Sequence, residues 1–234
     1  EPAAARQVLA RMAAAQAGDA RLRAALEAEI LMAEGKPGPA SEQYAEAYRL
    51  GPSFESAARA WRAGIAAGRK PDPTLLDDWL ERNPDDRQAQ RLTADLLFSA
   101  GLTARAQQVY EAVLAADPRD LTALNNLAWL YQEAGDGRAV QLGERAVKLA
   151  PESAAVLDTA GWAQLRLGDR KRGAELIALA ARRAPDDLDI QYHLAMSLIE
   201  AGKPAEGRQL LATILASDQA FASRAAAQAQ LRQM

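Results

Sequence analysis

The 234-residue sequence contains no cysteine and a single histidine, His193. Disulfide scaffolding is therefore excluded, and so is any zinc site built from thiolates and imidazoles. Aromatic residues make up only 5% of the chain, so a core of this size must be filled by aliphatic and small side chains. No stretch approaches the roughly 20 consecutive apolar residues that a membrane-crossing helix requires. The N-terminal EPAAARQVLARM mixes acid and arginine into an alanine-rich pattern and has no separate apolar core of a signal peptide. A formal charge of −3 offers no basic footprint for a phosphate backbone, and no nucleic-acid partner is expected.

What the sequence does contain is a repeat. Prolines following apolar segments recur at Pro52, Pro84, Pro118, Pro151 and Pro185, with spacings of 32, 34, 33 and 34 residues. Helix-breaking glycines recur at Gly35, Gly68, Gly101, Gly135, Gly168 and Gly202, spaced by 33 or 34 residues. Two independent punctuation marks with one period indicate a tandem array in which no unit can bury its apolar face alone. The clearest unit, 154–187, places Leu157, Ala160, Gly161 and Leu165 on one helix face. Gly168-Asp169 ends that helix, Gly168 being expected to supply a left-handed cap. Gly173, Leu176, Ile177 and Ala180 line a second helix, with Gly161 and Gly173 where the two must approach closely.

This pattern resembles the tetratricopeptide repeat, a helix–turn–helix unit of 34 residues. The resemblance implies an all-α fold: a right-handed superhelical solenoid of antiparallel helix pairs, about 14 helices in all. Residues 1–18 read as the second helix of a truncated repeat. Repeats follow at 19–52, 53–86, 87–120, 121–153, 154–187 and 188–221, and a capping helix at 222–234. The first two full units are degenerate. In 19–52 the stretch GKPGPAS reads as a long inter-helix loop, and in 53–86 the second helix is short and opens at Asp72-Pro73-Thr74.

No catalytic constellation emerges. The serines lack a Gly-x-Ser-x-Gly elbow, one histidine leaves little choice of base, and the glycines follow the repeat rather than clustering in a phosphate loop. The paired acids Asp85-Asp86 and Asp186-Asp187 directly follow repeat-ending prolines, where carboxylates favour the start of the next helix. Neither an enzyme nor a cofactor or metal site is expected.

The resemblance implies that positions 2, 5, 6, 9, 12 and 13 of each first helix face a concave groove. Trp61, Trp129 and Trp162 fall at the ninth position, whereas Trp79 falls in a second helix. The apolar fourth position is already filled by Leu124 and Leu157, so Trp129 and Trp162 are surplus to the core. They either pack against the adjacent helix or present a platform to a ligand. Asn125, Asn126, Asp158, Thr159, Tyr192, His193 and Met196 lie on the same surface, and Arg91 and Asp95 occupy equivalent positions one repeat earlier. Aromatic platforms interleaved with amides suit an extended peptide, so a protein or peptide partner is expected there. The lysine pair of carboxylate-gripping tetratricopeptide domains is missing.

Three strings, LNNLAWLYQEAGD, AVLDTAGWAQLRLGD and DIQYHLAMSLIEAGK, together with the FASRAAAQAQL tail, resemble the tetratricopeptide lipoproteins of bacterial PEP-CTERM/exosortase systems over 121–234. That resemblance implies a periplasmic scaffold, tethered to the outer membrane through a lipidated cysteine upstream of residue 1 and associated with exopolysaccharide and protein-sorting machinery. A cytoplasmic adaptor or co-chaperone, or the repeat region of a larger enzyme, are the alternatives. The apolar face around Val8, Leu9 and Met12 offers a possible homodimer contact.

Overall fold

A computed structural model describes Arg6, Gln7, Ala10, Arg11 and residues 19–234. The homodimer contact expected around Val8, Leu9 and Met12 lies outside the described residues.

Residues 19–234 are helical apart from their connections, and none of the helices is long and apolar enough to cross a membrane. Thirteen helices follow in order: α1 Ala20–Ala33, α2 Pro37–Leu50, α3 Phe54–Ala66, α4 Thr74–Arg82, α5 Arg87–Ser99, α6 Thr103–Ala116, α7 Leu121–Glu133, α8 Arg138–Leu149, α9 Ala154–Leu167, α10 Arg170–Arg183, α11 Leu188–Glu200, α12 Pro204–Leu215 and α13 Arg224–Arg232. The chain divides into two compact units, Glu1–Val109 and Tyr110–Met234, with the boundary inside α6.

Local chemistry sets the helix ends. Asp86, Asp120 and Asp187 accept from backbone N–H groups two or three residues on, satisfying donors that the first turn leaves orphaned. The acid pairs after the prolines thus serve helix starts. At the opposite ends, Gly35, Gly68, Gly101, Gly135 and Gly202 adopt φ between 70° and 78° and turn the chain into the next helix.

Two local expectations require correction. Gly168 is not left-handed: its φ is −138° and ψ −131°. There the Gln164 side chain takes over the turn, its Oε1 accepting from Asp169 N–H at 2.9 Å, so the positive-φ cap is not needed. A Cβ on Gly168 would lie 2.4 Å from that same oxygen, so a larger residue there would displace the Gln164 side chain. Nor is GKPGPAS a long loop. Helix α2 begins at Pro37, because proline is well suited to a first helical turn whose N–H groups lack intrahelical acceptors.

In unit 1, Ala28 and Leu31 of α1, Ala40 and Tyr44 of α2, and Ala60 and Ala63 of α3 form one buried cluster, joined by Leu75 of α4. Tyr48 Oη donates to Asp78 at 2.5 Å, tying α2 to α4. In unit 2 small residues allow close helix contact. A Cβ on Gly173 would lie 2.5 Å from Leu165 N, and one on Gly161 2.9 Å from Ile177 N. The Gly161–Gly173 pairing read from the sequence is therefore a backbone-to-backbone approach of α9 and α10. At the C-terminal end, Ala227 of α13 packs with Leu211, Ile214 and Ala195. Phe221 and Leu231 flank them, and the last helix covers an apolar edge. Asp189 fixes its approach by accepting from Ala222 and Ser223 N–H.

One further periodicity appears only in three dimensions. Ion pairs join Arg6 to Glu34, Asp77 to Arg105, and Glu144 to Arg172, each spanning 28 residues. In the last two pairs the acid lies on one second helix and the arginine on the next, at the spacing that juxtaposes them. Arg6 holds the Glu34 carboxyl down to about 2, chiefly through their hydrogen bonds.

Candidate protein-interaction site

The expected groove residues divide between the two units. Arg91, exposed, and Asp95, half-buried, lie on α5 of unit 1. The remaining nine lie on α7, α9 and α11, the first helices of three successive repeats in unit 2.

The centre of unit 2's surface is an aromatic and charged cluster. His193 Nδ1 lies 2.8 and 2.9 Å from the two carboxylate oxygens of Asp158, so its N–H donates across from α11 to α9. The Trp162 ring stacks on the imidazole with centroids 4.3 Å apart and planes at 19°. Tyr192 sits tilted against both rings, at 6.4 Å from Trp162 and 5.6 Å from His193. The Arg166 guanidinium lies 5.7 Å from the Trp162 ring centre. These contacts hold the imidazole by one edge and one face.

Asp158, expected on the groove surface, is instead buried at 9% exposure, because α11 closes over it and His193 claims both of its oxygens. Burial pushes its carboxyl above the usual range, with the His193 hydrogen bond opposing that shift. Its carboxylate holds the His193 imidazole through both oxygens. Burial likewise raises the Tyr192 phenol.

On α7 the arrangement is more open. Trp129 is 37% exposed, against 7% for Trp61 at the same repeat position. Asn126 Nδ2 donates to Tyr110 Oη at 2.8 Å, and Asn125 Nδ2 donates to Asn126 Oδ1 at 3.3 Å. The amides thus form a chain, anchored by the fully buried Tyr110. Thr159 and Met196 are half-buried on their helices. Trp162 packs against the neighbouring helix, and Trp129 is partly exposed. Trp61, at the same position in unit 1, is buried at 7% exposure.

Sequence reasoning missed two contributors. They are Tyr110, which the repeat pattern does not mark as a groove residue, and Arg166. The i, i+4 spacing from Trp162 to Arg166 was the available signal. Among the described residues no group of three or more His, Asp or Glu side chains could hold a metal ion.

No protein-family model and no curated protein matches the sequence. Solved structures do match the fold. A tetratricopeptide repeat protein from Parabacteroides merdae superposes with a TM-score of 0.75 at 15% identity, covering 92% of this chain and 87% of that one. The type IV pilus biogenesis factor PilW gives 0.64 at 13% identity, covering 86% and 94%. YrrB, described as a tetratricopeptide protein with an unusual peptide-binding site, gives 0.58 at 14% identity, covering 79% and 93%. The fold is therefore that of the tetratricopeptide repeats.

Proposed function

We propose that the chain is a non-catalytic scaffold whose second unit binds an extended segment of a partner protein along α7, α9 and α11. The observation that carries this reading is the solvent-exposed Trp129 ring, aligned with braced polar and aromatic groups on three successive first helices. Asn125, Asn126 and Thr159 supply hydrogen-bonding groups of the kind that pair with a peptide backbone, and Trp129 supplies an apolar anchor typical of interface hot spots. The Trp162–His193–Asp158 stack keeps its side of the surface rigid, which lowers the entropy lost on binding. The peptide-binding description of YrrB is consistent with this use of the fold.

The finer setting belongs to the same proposal. The strings in 121–234 that resemble the PEP-CTERM/exosortase lipoproteins support a periplasmic scaffold, tethered to the outer membrane and serving exopolysaccharide or protein-sorting machinery. Affinity capture from a detergent-solubilised envelope extract tests it, comparing the wild type with Trp129→Ala/Trp162→Ala. Synthesis or sorting proteins captured by the wild type and lost from the variant are the expected result. Capture of cytosolic chaperones alone would overturn the envelope setting, and capture that survives the substitutions would remove the binding surface from these helices.

A further inference from the structure

A separate feature of unit 1 goes beyond the scaffold reading. In the other repeats of residues 19–221 the second helix begins two or three residues after the punctuating glycine. After Gly68 it is delayed to Thr74, and α4 is only 9 residues long, where α2, α6, α8, α10 and α12 have 12 to 14. The missing turn leaves a cavity of about 380 Å³ bounded by α2, α3, the 69–72 segment and the start of α4. That volume is within the range of small-ligand sites, about 300–1,000 Å³.

The lining has two characters. Trp61, Ala45, Ala57, Ala60, Leu75 and Leu76 make an apolar floor. Arg49, Arg69 and Lys70 stand around it against one carboxylate, Asp72. Asp72 is already committed, accepting from both the N–H and the hydroxyl of Thr74, which holds it below the usual range. Arg49 and Arg69 pair with Glu46 and Glu42, but these are exposed pairs of small net worth, easily exchanged for a ligand's oxygens. Lys70 has no ion pair among the described residues. Trp61 is buried at 7% exposure and lines the cavity.

We infer that this cavity is a binding site for a small amphipathic carboxylate, with its apolar chain on Trp61 and Leu75 and its carboxylate held by Arg69 and Lys70. Two charge-assisted contacts at the rim would set its orientation. The apolar floor would supply most of the affinity.

The probe is 11-bromoundecanoate, whose bromine quenches tryptophan emission at contact range. Saturable quenching is expected in the wild type. Arg69→Ala/Lys70→Ala should weaken it by about fivefold, the equivalent of one modest ion pair. Gly64 lines the cavity, and a Cβ there would meet Ser41 Oγ at an ordinary 3.4 Å, so Gly64→Leu should fill the space and abolish quenching with far-UV circular dichroism unchanged. Absence of saturable quenching in the wild type would overturn the site. So would quenching undiminished in the folded Gly64→Leu variant, or in the Arg69→Ala/Lys70→Ala variant should Gly64→Leu fail to fold. Equal binding of uncharged 11-bromoundecanol would overturn the carboxylate assignment.

Discussion

The hairpins α3–α4 and α9–α10 occupy repeats of the same 34-residue length, carry a tryptophan at the same ninth position, and are packed on opposite principles. In α9–α10, Gly161 and Gly173 bring backbone against backbone, and the tryptophan turns outward into the stack with His193. In α3–α4, the second helix loses its first turn, the tryptophan turns inward, and a cavity remains beside it. The repeat period therefore fixes where helices start and stop relative to one another. How tightly a unit closes is decided by a few small residues and by the length of the second helix.

That contrast can be broken most severely at Gly173. Its Cβ would meet fixed backbone, so Gly173→Val should cost about 3 kcal/mol or more in chemical denaturation, the upper range for overpacking a rigid contact. Removing the ring that α9 sends outward should cost less. Trp162→Ala loses the stack on His193 and part of a half-buried aromatic, on the order of 2 kcal/mol by the same measurement. The loosely closed hairpin should respond with the opposite sign: Gly64→Ala places its Cβ 3.4 Å from Ser41 Oγ, an ordinary contact, and gains helix propensity, stabilising by up to about 1 kcal/mol. A destabilised Gly64→Ala would show that α3 is as tightly packed as α9.

The finest test is by pH. Burial raises the Asp158 carboxyl in the folded state above its unfolded value of 3.8, so the unfolded chain ionises first as pH rises. Stability relative to Asp158→Asn should therefore fall as pH climbs from 3.8 through the raised folded value, and remain lower above it. Glu34 behaves oppositely. Held down to about 2 by Arg6, it contributes stability above the unfolded 4.5 that is lost as pH falls toward 2. Melting temperatures of Asp158→Asn and Glu34→Gln against the wild type across this range should diverge from it in opposite directions.

Much of the fold was legible because it is written in punctuation. Five of the six repeating glycines adopt positive φ, the acids after prolines cap helices, and Asp72-Pro73-Thr74 does open α4. The failures were cases in which a side chain did what backbone was expected to do. Gln164 replaces the left-handed turn at Gly168, and the Pro37 ring starts a helix inside GKPGPAS. The candidate site was legible as a set of positions but not as a set of roles. Periodicity placed Asp158 beside Thr159 and Tyr192 beside His193, and it could not tell which side chain the neighbouring helix would cover. The 28-residue ion pairs are not legible in the sequence because surface charges carry no hydrophobic pattern.

The most direct test of the interaction surface is site-specific photo-crosslinking in the source cells. A benzophenone amino acid would replace Trp129 in one variant and Glu175, exposed on the second helix α10, in another. A discrete crosslinked partner protein is expected from position 129 and none from position 175. Crosslinks from position 175 with none from position 129 would contradict it.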